Sequence, residues 1–97
     1  MRVIALGTLA RFWKRHPAAE GSLRAWYAEA CRAAWRSPQD IRSMHRTADF
    51  LAGDRVVFNI GGNNYRLIVH VKYEAFVVYV RFVGTHAEYG RINAEEV

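Results

Sequence analysis

Apolar residues recur at helical spacing through the first part of the chain, and from Arg55 onward they alternate with period two. Val3 to Leu6 is predicted as a short strand closed by Gly7. Thr8 is then placed to cap a helix with Leu9, Phe12 and Trp13 on one side and Arg11, Lys14 and Arg15 on the other. His16-Pro17 breaks that helix, because a residue before proline is pushed out of the α region. A second helix runs to about Trp35, with Leu23, Trp26, Tyr27, Ala30 and Ala34 on one face. Ser37-Pro38-Gln39-Asp40 is a fresh helix start, with Ser37 as cap, Pro38 at the first position and Asp40 completing a capping box; this short piece ends near Arg46.

Three strands follow as an antiparallel meander: Arg55 to Ile60, Asn64 to Tyr73 and Phe76 to Val83, with turns at Gly61-Gly62-Asn63 and Glu74-Ala75. Alternation assigns their faces. Val56, Phe58, Ile60, Tyr65, Leu67, Val69, Val71, Tyr73, Phe76, Val78, Val80 and Phe82 share an apolar face suited to the helices. The opposite face gathers Arg55, Asn59, Arg66, His70, Lys72, Tyr79 and Arg81, together with Val57, Ile68, Val77 and Val83. One solvated face is ordinary in an antiparallel sheet, but none of these strand-centre positions is acidic. The expected architecture is α+β: N-terminal helices packed on one face of a small, mainly antiparallel sheet, in a single domain spanning residues 1–97.

The bulk numbers sharpen this only slightly. A chain of 97 residues has room for one core, and 52% hydrophobic content marks a packed globule rather than a disordered chain. The net charge of +5 points to an anionic partner. All of the basic residues except Lys14 and Lys72 are arginines, whose planar donors suit phosphate, although a GC-rich genome would give the same bias. Cys31 is the only cysteine; it excludes an intrachain disulfide and falls on the apolar side of its helix, where a buried, inert thiol is expected. Met1 to Leu6 lacks the long apolar stretch of a signal peptide, and no segment could span a bilayer, so a cytoplasmic location without membrane association is the expectation.

Candidate chemistry concentrates after the last strand. Thr85 and Glu88 fit a capping box that opens a short helical turn and holds His86 and Tyr89 on one side, just beyond Arg81. RNA cleavage by side chains needs a base for the 2′-hydroxyl, positive charge on the phosphate and an acid for the leaving 5′-oxygen. Histidine is the residue type most used for such acid–base work, which makes His86 the candidate; Arg66 and Arg81 could hold phosphate, and Tyr89 could move a proton or stack on a base. Gly61-Gly62-Asn63-Asn64 is no phosphate loop, since no Gly-Lys-Ser/Thr follows, and the histidines show no zinc spacing. His16 and His45 end helical segments, where the helix dipole favours them.

The run Val57-Phe58-Asn59-Ile60-Gly61-Gly62-Asn63-Asn64-Tyr65-Arg66-Leu67, followed by Tyr79-Val80-Arg81-Phe82-Val83-Gly84-Thr85-His86-Ala87-Glu88-Tyr89, resembles the HigB family of toxins within the RelE-like superfamily. The resemblance spans nearly the whole chain and is most specific at the Gly-Thr-His-x-Glu-Tyr ending. It implies a RelE-like fold and an mRNA endoribonuclease working without metal or other cofactor, usually on translating ribosomes. It also implies a HigA-like helix-turn-helix antitoxin as partner. Position by position it assigns Arg66, Arg81, His86 and Tyr89 to catalysis, with Asn59, Asn63 and Lys72 as flanking RNA contacts; the basic face adds Arg55, His70 and Tyr79 to the RNA-binding set. Many relatives carry aspartate after the tyrosine, whereas Gly90 stands here. Two rivals share the fold: a non-catalytic RNA- or ribosome-binding module, and a poison of a protein target such as a topoisomerase.

Overall fold

A computed structural model describes all 97 residues. Strand β1 (Arg2–Ile4) leads into α1 (Leu6–Arg15), α2 (Glu20–Arg32) and α3 (Pro38–Met44); β2 (Asp49–Leu51), β3 (Arg55–Ile60), β4 (Tyr65–Lys72), β5 (Val77–Thr85) and α4 (His86–Tyr89) follow. The strands form one open sheet in the order β1-β5-β4-β3-β2, antiparallel except where β1 runs parallel to β5. The expected α+β architecture is therefore present.

The helices bury their apolar stripes against one sheet face. Leu9, Phe12 and Trp13 of α1 and Leu23, Trp26 and Ala30 of α2 share a core with Val56, Phe58 and Ile60 of β3, Leu67, Val69 and Val71 of β4, and Val78 of β5. The hairpin between β3 and β4 turns through Gly61, Gly62 and Asn63, with φ of 61°, 60° and 83°. Two glycines enter the left-handed region without steric cost, and asparagine tolerates it.

Several boundaries differ from the expected ones. Pairing with β5 ends β1 at Ile4, Ala5 turns with φ 87°, and α1 begins at Leu6. Thr8 is thus inside the first turn, its N–H donating to the Ala5 carbonyl, and does not cap the helix. Ser37 and Pro38 do start α3, but Asp40 accepts from the Arg36 N–H, so the capping box is not closed on Ser37. Helix α2 stops at Arg32, and extended backbone at Ala33 drops Trp35 onto Phe58, with ring centroids 6.2 Å apart. Ala34 is exposed as a result. Cys31 is exposed rather than buried, because it lies one residue round the helix from the buried Leu23–Trp26–Ala30 stripe. The edge strand β2 has no counterpart in the pattern-based reading.

The largest correction is in β5. Val69 pairs with Val80 but Ile68 pairs with Phe82, so Arg81 is an extra residue in a β-bulge. Past the bulge the faces exchange. Val83 packs against the helix-side core, while Phe82 crosses to the opposite face and lays its ring over Gly84. Phe76, expected in the core, is an exposed turn residue with φ 55°.

The face away from the helices is not simply solvated. It consists of rows: Asn59–Arg66–Gly84, then Val57–Ile68–Phe82, then Arg55–His70–Tyr79. Val57 and Ile68 are 1% and 0% exposed although no helix covers them. The chain after α4 starts beside the first row and ends with the Val97 carbonyl oxygen on Arg55 and Arg81, so it must cross the apolar row. Residues Gly90–Val97 form a strap over this face.

Candidate active site

The best-defined constellation lies where α4 meets the β3–β4 hairpin. The Thr85 hydroxyl accepts from the Glu88 N–H at 3.1 Å, and the Glu88 carboxylate accepts from the Thr85 N–H at 2.8 Å. This closed capping box starts a four-residue helix that could not stand alone. The His86 N–H donates to the Asn64 carbonyl at 3.2 Å and ties the helix to the hairpin. The Glu88 carboxyl is held below its ordinary range, chiefly by the Thr85 main-chain hydrogen bond; burial opposes this, and the Thr85 hydroxyl, His16 and Arg15 reinforce it.

Fixing α4 in this way sets Tyr89 beside Arg66. The guanidinium carbon lies 5.7 Å from the Tyr89 ring centroid, within the range of a cation–π contact. Arg66 Nη1 donates to the carbonyls of Asn63 at 3.0 Å and Tyr65 at 3.3 Å. Five donors are available on a guanidinium, so Nε and Nη2 remain for an anion. His86 is exposed one turn before Tyr89, and its ring forms no hydrogen bond or ion pair within the protein. A phosphate-sized anion at Arg66 would therefore meet a cation and a phenol, with the exposed His86 imidazole on the same short helix.

The other expected site residues form a second cluster on the far side of the apolar row. Arg55 Nε donates to the Val97 carbonyl at 3.0 Å, and Arg81 Nε approaches the same oxygen at 3.4 Å. His70 pairs across the strands with Arg55 and Tyr79, its ring 6.3 Å from that of Tyr79. Burial lowers the pKa of His70, and the cations Arg55, Lys72 and Arg81 lower it further, with Asp54 acting in the opposite direction. Lys72 is exposed at the end of β4. Asn63 contributes its carbonyl to Arg66, whereas Asn59 spends its amide on the Thr47 carbonyl at 3.0 Å and anchors the loop before β2. The basic face is thus two groups rather than one. The Arg66 and Arg55 rows are four residues apart along the strands, or roughly 13 Å at the usual rise per residue.

Pattern reasoning also missed residues. Asp54 sits at the end of the basic cluster and, second to burial, raises the Tyr73 phenol to about 12. The strap residues Ile92, Asn93, Ala94 and Glu95 join Leu51, Tyr89 and Gly90 in walling a cleft of about 530 Å³ next to the site. Nothing in their periodicity marked them, because a segment without regular structure has none.

Residues 19–92 match the HigB_toxin family, described as the RelE-like toxic component of a toxin–antitoxin system. The chain belongs to the HigB toxin family. The match takes in Arg66, Arg81, His86 and Tyr89 and ends at Ile92, before the last strap residues. Over 96 residues the chain is 29% identical to the mRNA interferase toxin HigB of Escherichia coli (strain K12), covering 97% of this chain and 92% of that protein. The mRNA interferase HigB of Shigella flexneri is similar to the same extent, 29% over 96 residues with the same coverage. Membership of the HigB family makes this chain the toxic half of a pair, with a cognate antitoxin as its partner.

Proposed function

We propose that this HigB-family chain is an mRNA endoribonuclease acting on translating ribosomes, with Arg66, His86 and Tyr89 as its reactive set, Arg81, expected among them, holding a neighbouring phosphate from the second cluster instead, and a HigA-like helix-turn-helix protein as its antitoxin. The observation that carries the reading is the contact of Arg66 with Tyr89, held by the Asn63 carbonyl on one side and the capped α4 on the other. The interferase names of the E. coli and Shigella relatives support the substrate class.

The chemistry follows from the groups present. The free donors of Arg66 hold the non-bridging phosphate oxygens as negative charge builds on them. His86 and Tyr89 form the proton-moving pair: one takes the 2′-hydroxyl proton while the other gives a proton to the departing 5′-oxygen. The 2′-oxygen attacks phosphorus in line, the bond to the 5′-oxygen breaks, and the products are a 2′,3′-cyclic phosphate and a free 5′-hydroxyl. Arg81, across the apolar row with Arg55, His70, Lys72 and Tyr79, continues the cationic track for neighbouring phosphates.

Induced expression should arrest growth and cut cellular transcripts. Arg66→Ala, His86→Ala and Tyr89→Phe should each slow single-turnover cleavage by about 100-fold or more, as expected for loss of a charge-stabilising or proton-transfer group. Uncut transcripts with the parent chain would overturn the reading. Full cleavage by both His86→Ala and Tyr89→Phe would remove these residues from the chemistry.

A further inference from the structure

The cleft beside Tyr89 has a composition that phosphate binding does not explain. It holds about 530 Å³ between the strap and the edge strand β2, walled by Leu51, Tyr89, Ile92, Asn93 and Glu95 among others. Tyr89 belongs both to this cleft and to the Arg66 contact, so the cleft lies beside the candidate scissile position. Its volume lies in the range of ordinary small-ligand sites. Leu51, Ile92 and the Tyr89 ring offer apolar and aromatic surface, suited to a stacked planar group.

The polar wall is the informative part. Asn93 Oδ1 accepts from the Glu95 N–H at 3.0 Å, which orients the amide and leaves its NH₂ group as a donor. Glu95 presents an exposed carboxylate, an acceptor on both oxygens. A carboxylate on a face built for a polyanion repels phosphate, so its use there is with hydrogen-bond donors on a base. Among the four RNA bases only guanine presents two adjacent donors, N1–H and N2–H₂, beside an acceptor, O6. Adenine and cytosine offer a single exocyclic amine, and uracil one ring N–H.

We infer that the cleft between Tyr89 and the Asn93–Glu95 strap is a guanine-binding subsite, in which Glu95 accepts from N1–H and N2–H₂, Asn93 donates to O6, and Tyr89 stacks on the ring. This rests on the RNA-cleaving reading above and assigns it a base preference. Asn93 and Glu95 lie beyond residues 19–92, the segment that matches the HigB family model.

The test separates recognition from cleavage by using uncleavable six-nucleotide 2′-deoxyuridine oligomers carrying one central G, A, C or U. Binding is read by fluorescence anisotropy at fixed salt. The full chain should bind the G-containing oligomer about tenfold more tightly than the others, the usual discrimination of one good two-bond base contact. Glu95→Gln should bring that ratio to within twofold while affinity for the all-U oligomer holds or rises, since a charge that repels phosphate is lost, and Asn93→Ala should lower the ratio partially. Equal binding of the four oligomers, or a G preference that survives Glu95→Gln, would overturn the inference. A G preference in a chain that cuts no RNA would leave the subsite standing and overturn the nuclease reading alone.

Discussion

Gly84→Ala probes the feature that most reshapes the candidate site, the exchange of faces in β5. A methyl carbon added at Gly84 would lie 2.5 Å from Phe82 Cζ, 2.9 Å from Phe82 Cε2 and 3.2 Å from Glu88 Cβ. The Gly84 backbone is not in the left-handed region, so alanine is conformationally allowed and would by itself stabilise by about 0.4–1 kcal/mol through the unfolded chain. Against this, the Phe82 ring must leave its place over the strand. Forced rearrangement of a packed side chain costs about 1–3 kcal/mol. The steric term wins, and a net loss of about 1–2 kcal/mol is expected. In thermal unfolding this lowers the midpoint by about 4–8 °C per kcal/mol for a domain of this size. The clash should vanish with its partner: in a Phe82→Leu background the alanine should be neutral or stabilising, giving a coupling of about 1–2 kcal/mol in a double-mutant cycle. If Gly84→Ala alone matched or exceeded the parent in stability, Phe82 would not lie over Gly84, and the bulge-driven exchange would be wrong.

Thr85→Ala removes one half of the α4 capping box and should cost about 0.5–2 kcal/mol, read in chemical denaturation. Because α4 carries His86 and Tyr89, RNA cleavage should fall further than the loss of folded protein explains. His70 has a folded pKa below 6.5, from burial first and the cations Arg55, Lys72 and Arg81 after it. Just under pH 6.5 the unfolded chain therefore binds more protons than the folded one, so stability falls as pH drops from that value through the folded pKa. Equilibrium unfolding between pH 7.5 and 5 should show this slope, and His70→Gln should flatten it; an unchanged slope would contradict the assignment. Ile68→Ala should cost about 2–5 kcal/mol despite lying opposite the helices, because the residue is fully buried under the strap. A loss typical of a surface position, measured by urea titration, would show that the strap does not cover it.

Much of this was legible in the residues because it depends on local pattern. Alternation in β3 and β4 placed Arg66, His70 and Lys72 correctly opposite the helices, and the Thr85–Glu88 spacing announced the helix that presents His86 and Tyr89. What failed were features set by long-range pairing. The bulge at Arg81 is a matter of register between β4 and β5 that no single-strand periodicity encodes, and it puts Phe82 and Val83 on the faces opposite to those alternation predicts. The row Val57–Ile68–Phe82 divides the basic residues into two groups only once the register across three strands is fixed. The strap escaped notice because its place is decided by what it covers and by the Val97 contacts with Arg55 and Arg81. Gly90 proves to be part of the cleft wall.

Whether the Arg66–Tyr89–His86 constellation cuts RNA through the substrate's own 2′-hydroxyl is read at the scissile nucleotide. The cut site in an RNA is first mapped with the purified chain, and the substrate is then remade with a single 2′-deoxy sugar on the 5′ side of that bond. The natural RNA should give 2′,3′-cyclic phosphate and 5′-hydroxyl ends, and the substituted position should not be cut. Undiminished cleavage there, or products bearing a 5′-phosphate, would contradict it.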